Sequence, residues 1–260
     1  MIIQSKKVNS KDKHFQKSYD EHRELFGNIK DKQFPLLVKI IDACNDLSVQ
    51  VHPNDEYAAL HENSLGKTEC WYVLGCKEDT KMVMGHHAKT KEELVKAIEN
   101  DDYDHLLNKF DIKKGDFFYI PSGTIHAICK GSLIYEAQQS SDITYRVYDY
   151  HRKDKDGNER ELHLKQAIDC LSFDKDIDKN DVHPVVKVHE NMKETIFISN
   201  DSFTVSQLLV IGKCQYKCDN YQLATVVKGS GKVDEYDVKV GDNFLIPTNT
   251  SIELDGQMMI

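Results

Sequence analysis

Four residues of this sequence have types and spacings that suit a divalent metal ion: Gln50, His52, Glu69 and His126. Residues two apart in a strand share a face. In Gln50-Val51-His52-Pro53 the amide and the imidazole would therefore stand side by side, with Val49 and Val51 facing the other way. Glu69 follows the Gly66-Lys67 turn and opens the next strand, and His126 comes just after the Pro121 turn of a third. Two imidazoles, one carboxylate and one amide oxygen on adjacent strands can hold zinc in a catalytic site, and equally iron(II), manganese or cobalt. Each residue taken alone has a plainer reading: surface decoration for the Gln-x-His pair, a solvated strand end for Glu69, a hydrogen-bonded half-buried ring for His126. A second cluster, Glu136, Asp142 and Arg146, lies in or beside strand-like segments. If residues 132–138 form a strand, Ile134, Glu136 and Gln138 share a face, and a buried carboxylate there needs a partner. Lys67 and Arg146 are candidates for holding an anion beside the metal, against the ordinary alternative of surface ion pairs. His86-His87 is left as surface, because adjacent strand residues face opposite ways.

The elements that must position these residues are mostly strands. Residues 10–26 suit an amphipathic helix with Phe15, Tyr19, Leu25 and Phe26 as its sparse apolar side. Two apolar runs in 34–51, PLLVKII and LSVQV, read as strands joined by a turn. Asn54 has the character of a helix cap for a short helix over 55–62. Residues 70–74 form a β-rich run. Residues 90–110 read as one helix, with capping-box spacing between Thr90 and Glu93. Strand signal returns over 111–150. A charged surface hairpin or linker is expected around Asp156-Gly157, a short helix over 162–171 and a loop over 172–181. From 182 to the end, short strands alternate with turns. The expected organisation is an N-terminal helical or loop segment over 1–33, a first β unit carrying the metal site over 34–152, a charged linker with a short helix over 153–181, and a second, metal-free β unit over 182–260. Many short strands with regular turns suggest a sandwich or barrel.

Composition removes several classes of function. Lys and Arg number 34 against 43 Asp and Glu, a formal charge of −9. That balance argues against sequence-independent nucleic-acid binding and against docking on an anionic membrane, so an anionic substrate must meet a local basic pocket. No apolar run approaches the ~20 residues of a membrane span, and the opening nine residues do not read as a secretory signal. Seven scattered cysteines without a Cys-x-x-Cys suit free thiols in a reducing cytoplasm. Oligomeric state leaves no mark on the sequence.

One internal repeat bears on the site. Gly115-Asp-Phe-Phe-Tyr-Ile-Pro121-Ser-Gly-Thr-Ile-His126 aligns with Gly241-Asp-Asn-Phe-Leu-Ile-Pro247-Thr-Asn-Thr-Ser-Ile252, which points to two copies of one β unit. Ile252 fills the position of His126, so the second copy is expected to be structural.

The segments FPLLVKIIDACNDLSVQVHPNDEYA, GKTECWYVL, GDFFYIPSGTIHAI and YEAQQSSDITYRVYDYHR closely resemble the type I mannose-6-phosphate isomerases in their short bacterial form. The resemblance runs from about Tyr19 to the C-terminus, with the motifs in the family's order. It implies a mainly β protein of two cupin-type jelly-roll units with a few short helices. It implies one zinc per chain, on Gln50, His52, Glu69 and His126. The family's active-site arginine falls on Arg146, its glutamate on Glu136, its aspartate on Asp142 and its lysine on Lys67. The expected catalytic residues are then Arg146, Glu136 and Lys67, with Lys67, Asp142 and Arg146 contacting a hexose 6-phosphate. The implied reaction is aldose–ketose isomerisation of mannose 6-phosphate and fructose 6-phosphate through an enediol or enediolate. The sequence departs from the family in lacking its N-terminal tryptophan-glycine-glycine and glycine-glutamate-x-tryptophan segments. The alternative expectation is therefore a truncated, catalytically impaired metal-binding cupin that binds a sugar phosphate or a protein.

Overall fold

A computed structural model describes residues 13–29, 32–173 and 182–260 of the chain. It divides at Val38/Lys39 and Val182/His183: the intervening part is one compact unit, and the two flanks together form the other. Residues 13–29 and 32–38 thus go with the C-terminal β unit instead of standing apart, and residues 153–173 go with the first β unit. Among the described residues no helix is long and apolar enough to cross a membrane.

In chain order the described residues begin with helix α1 (Lys13–Glu21), followed by a 3-10 turn (Arg23–Phe26). The single helix expected over 10–26 is broken at His22, whose backbone leaves the helical region at φ −130° and ψ 47°; residues 10–12 lie outside the described residues. From β1 (Leu36–Asp42), which the division crosses after Val38, the unit that carries the candidate site runs β2 (Val49–Val51), α2 (Asp55–Glu62), β3 (Glu69–Cys76), β4 (Lys81–His86), α3 (Lys91–Glu99), α4 (Tyr103–Leu106), β5 (Leu107–Asp111), β6 (Phe117–Ile120), β7 (His126–Ile128), β8 (Ser132–Gln139), β9 (Tyr145–Tyr148) and α5 (Leu164–Cys170). Asn54 caps α2 by accepting from Tyr57 N at 2.9 Å. Thr90 caps α3 by accepting from Glu93 N at 3.2 Å. The long helix expected over 90–110 stops at Glu99: Asp101 takes a left-handed φ of 56°, and the apolar residues after α4 enter β5. Leu106 and Leu107 keep their burial, but pairing of β5 with β4 competes successfully with helical continuation.

Two sheets form this unit, with strand orders β1-β8-β3-β6 and β5-β4-β7-β2-β9. Their side chains alternate as period two requires. Trp71, Val73, Met82, Met84, Phe118, Ile120, Ile128 and Ile134 pack together as one core. The alternate residues Val49, Val51, Val83, Ala127, Tyr145 and Val147 pack instead with Leu94, Leu106 and Ala167 of the helices α3, α4 and α5. A double β layer with one helix-covered face is the result.

The other unit contains β10 (Val185–His189), β11 (Met192–Ser199), β12 (Thr204–Ile211), β13 (Cys214–Cys218), β14 (Gln222–Thr225), β15 (Lys228–Val233), β16 (Tyr236–Lys239), β17 (Asn243–Ile246) and β18 (Thr250–Met259). The main sheet is ordered β10-β11-β12-β18-β15-β16, with β13 also on β18, and β14 pairs β17. Phe244 and Ile246 join an apolar core with Leu208, Val226, Ile252, Leu254 and Met258. Leu245, between them, faces the other way onto Tyr19, Phe26 and Phe34. That is why the N-terminal residues belong to this unit: their aromatic rings, in edge contact at 5.0–5.6 Å, cover the outer face of β17.

The repeat is visible in the turns. Gly115 and Gly241 adopt φ of 94° and 91°, a region costly for any residue with a Cβ. Asp116 Oδ2 accepts from Lys113 N at 3.0 Å, and Asp242 Oδ2 accepts from Lys239 N at 2.9 Å.

Candidate metal centre

Gln50 lies opposite His126 of β7 on one side and Arg146 of β9 on the other. Glu69 lies opposite Ile120 of β6 and Gln138 of β8. Pairing thus joins Gln50 and His126 within one sheet, while Glu69, expected on an adjacent strand, stands on the other sheet and meets the two imidazoles across the space between the sheets. One donor atom each from His52, Glu69 and His126 fall within 4.8 Å of one another. His52 Nε2 is 3.5 Å from Glu69 Oε2, and His126 Nε2 is 3.3 Å from Glu69 Oε1. All three residues are at most 1% exposed. The Gln50 amide stands at the edge, its Nε2 3.3 Å from His126 Nε2; a half-turn of the amide would present Oε1 to the cluster.

Hydrogen bonds behind the rings fix which nitrogen faces inward. His52 Nδ1 donates to Ile143 O at 2.7 Å, and His126 Nδ1 donates to Thr124 O at 2.9 Å. A carbonyl only accepts, so in neutral rings both Nε2 atoms carry lone pairs. Burial lowers both ring pKa values, and with Lys67 adding to it His52 is pushed down to about 3. Burial pushes Glu69 up, but Lys67, His126 and His52 together hold its carboxyl well below the usual range.

This donor set fits a divalent cation. Both Glu69 oxygens are buried without a hydrogen-bond partner, and an unpaired buried carboxylate is costly. Lys67, only 5% exposed, supplies one positive charge, its Nζ 2.9 Å from His52 Nε2 and 3.3 Å from Glu69 Oε2. Two neutral imidazole nitrogens, a carboxylate and an amide oxygen match the nitrogen and oxygen preferences of zinc and its first-row neighbours.

The other expected residues surround this cluster unevenly. Glu136 lies opposite Trp71 of β3, on the sheet face that Glu69 shares. Its Oε2 accepts from Trp71 Nε1 at 3.0 Å and its Oε1 from Lys39 Nζ at 2.7 Å. Burial and the nearby Glu69 raise its pKa against the pull of Lys39 and Lys67. Arg146 flanks Gln50 in register; its Nη1 donates to Glu161 O at 2.6 Å, while Nε is buried without a hydrogen-bond partner. Asp142 is exposed on the connection from β8 to β9, one residue before the carbonyl that holds His52.

Sequence reasoning missed Lys39. Its Nζ also donates to Gln138 Oε1, so one lysine from β1 serves two polar residues of β8. The signal was present: Lys39 is the charged residue of PLLVKII, in phase with the buried Leu37. His86, set aside as surface, is half-buried, and its ring nitrogens lack partners.

Residues 2–72 match the family model described as phosphomannose isomerase type I, catalytic domain, and residues 193–260 match the one described as mannose-6-phosphate isomerase, cupin domain. The probable mannose-6-phosphate isomerase GmuF of Bacillus subtilis is 46% identical over 238 residues, 89% of this chain and 75% of that protein. The mannose-6-phosphate isomerase of Streptococcus mutans is 46% identical over 248 residues, 93% of this chain and 78% of that one. The crystal structure of the mannose 6-phosphate isomerase from Bacillus subtilis superposes with a TM-score of 0.89 at 38% identity, covering 94% of this chain and 80% of that one. The mainly β architecture seen here is therefore the cupin architecture of that protein. Identity at this level along nearly the whole chain leaves one conclusion: the chain belongs to the type I phosphomannose isomerase family.

Proposed function

We propose that this protein interconverts mannose 6-phosphate and fructose 6-phosphate, using one zinc ion held by Gln50, His52, Glu69 and His126. The observation that carries the reading is the buried His52–Glu69–His126 donor set in a chain of this family. When bound, the ion would supply Lewis-acid polarisation of the open-chain sugar's carbonyl and its neighbouring hydroxyl.

The chain's own residues have to move a proton between C2 and C1 and hold the negative charge of the enediolate. Glu136 is the proton carrier of this reading. Its carboxyl is buried and raised in pKa, the condition in which a carboxylate serves as acid and base near neutral pH. Trp71 and Lys39 hold its two oxygens in place. Lys67, buried beside the donor cluster, stabilises the developing oxyanion. Arg146, with an unpartnered Nε beside Gln50, holds an anionic oxygen of the substrate. Asp142 accepts from sugar hydroxyls at the rim. The seven cysteines, all free thiols, suit action in the reducing cytoplasm.

The test is formation of fructose 6-phosphate from mannose 6-phosphate by purified, zinc-loaded protein beside His52→Ala. Turnover in the parent, reduced at least ~100-fold in the variant with its zinc, is the expected result. A folded, zinc-loaded parent without turnover would replace this reading with that of a sugar-phosphate-binding relative.

A further inference from the structure

Lys67 and Glu69 enter the donor cluster from residues 66–69, which lead into β3 and include its first residue. A carboxylate and an amide outside the cluster fix this segment. Asp55, the first residue of α2, accepts from Gly66 N at 2.7 Å and from Gln139 Nε2 at 3.0 and 3.3 Å. Gln139 Oε1 in turn accepts from Thr68 N at 2.9 Å, and Gln139 N donates to Thr68 O at 3.1 Å. Lys67 N donates to Pro53 O at 3.0 Å. The amides on both sides of Lys67 are thus tied to Asp55, one directly and one through Gln139.

The contact is tight as well as bonded. A Cβ on Gly66 would lie 2.5 Å from Asn54 C and Asp55 N, so only glycine allows this approach. The same mesh reaches the third donor segment: Ser122 N donates to Thr68 Oγ1 at 3.3 Å, and Gly123 N donates to His52 O at 2.8 Å. Asp55 itself is exposed, at the outer end of the mesh, while Gln139 is buried.

We propose that Asp55 and Gln139 are positioning residues for Lys67. They set the main chain on either side of it and so hold its ammonium at the edge of the donor cluster, where it faces Glu69. The kinetic consequence rests on the isomerase reading above. Neither side chain takes part in the chemistry; each acts through the placement of Lys67, whose charge matters most as the oxyanion develops.

The test compares Asp55→Ala, Asp55→Asn and Gln139→Leu in the zinc-loaded full chain. A displacement of ~1 Å at a charge-stabilising group costs up to ~100-fold in rate. Asp55→Ala and Gln139→Leu should lose kcat by about 10- to 100-fold while KM moves less than about threefold. Zinc content and Tm stay near those of the parent. Asp55→Asn keeps an acceptor for Gly66 N and recovers most of the turnover. In metal-free protein the Gly66 and Thr68 amides should exchange at least about tenfold faster in Asp55→Ala. A folded Asp55→Ala or Gln139→Leu with parental kcat overturns the proposal, and so does zinc loss in step with kcat. A parent without isomerase turnover overturns the functional reading alone. The exchange comparison then decides: faster exchange sustains the brace, and unchanged protection of both amides overturns it.

Discussion

Glu69 and Glu136 are both buried carboxylates on the inner face of one sheet, yet their surroundings push them in opposite directions. Glu69 faces Lys67 and two imidazoles, which outweigh burial and keep it ionised. For Glu136 burial and the charge of Glu69 prevail over Lys39 and Lys67. Pairs of titratable groups separated in this way suit a division of labour, which the proposed function assigns as a fixed negative ligand in one case and a proton-carrying group in the other. Arg146 tests the anion-binding part of the assignment. Its guanidinium donates to Glu161 O, and its pairing with Gln50 and its bond to His163 Nδ1 run through the backbone, which alanine keeps. Arg146→Ala should therefore lower turnover of mannose 6-phosphate about 100-fold or more and leave bound zinc at the parental level. Steady-state kinetics beside metal analysis measure both, and equal loss of the two would make the role of Arg146 structural.

At the scale of elements, the segment after β9 shows how a charged stretch becomes part of a packed unit. Asp154 Oδ1 accepts from Asp156 N at 2.8 Å and Asn158 N at 2.9 Å, and Lys153 bridges Glu159, so the chain turns back on itself. The returning segment delivers Arg160 to the buried Asp149 and the Glu161 carbonyl to Arg146. Asp149 accepts from Arg160 Nε at 2.6 Å and also bonds Arg152 and Arg160 through their Nη2 atoms. Burial raises its pKa, but the hydrogen bonds from the two arginines prevail and hold it below the ordinary value. A carboxyl with a depressed folded-state pKa stabilises the fold above its unfolded value, about 3.9, and that contribution fades as pH falls through the lower folded value. Asp149→Asn should accordingly be less stable than the parent at neutral pH, with the difference shrinking below about pH 4. Urea denaturation across this range measures the gap; a gap that stays constant would show the pairing carries no net electrostatic stabilisation.

For the molecule as a whole, two copies of one turn-and-strand unit have diverged in what they enclose. In one, β7 begins with His126 and faces Glu69. In the other, β18 carries Ile252 amid Val226, Phe244, Ile246 and Leu254, and among the described residues no group of His, Cys, Asp or Glu suited to a metal includes a residue of that unit. Ile252→His should therefore leave zinc at one per chain. It should cost about 1–3 kcal/mol of stability, the price of a buried polar ring without a partner. Metal analysis and thermal unfolding decide this; a second equivalent of zinc would mean that the unit retains other donors.

The sequence alone carried the candidate donor types and the face that Gln50 and His52 share, because strand period is a local property; that Glu69 meets them from the other sheet was not legible in it. It also carried the repeated glycine-aspartate turn, whose positive φ and side-chain hydrogen bond are set within a few residues. It misjudged residues 90–110, where local helical periodicity gave way to strand pairing of Leu107–Asp111 with β4. What only the tertiary structure decided depends on partners remote in the chain. Lys39 meets Glu136 across 97 positions, and Asp55 meets Gln139 across 84. Both contacts follow from which strands and loops lie side by side, and no local pattern encodes that. The opposite displacement of Glu69 and Glu136 follows for the same reason. Burial and neighbouring charge act through space, so two glutamates indistinguishable in sequence acquire different chemistry only once the sheets have closed around them.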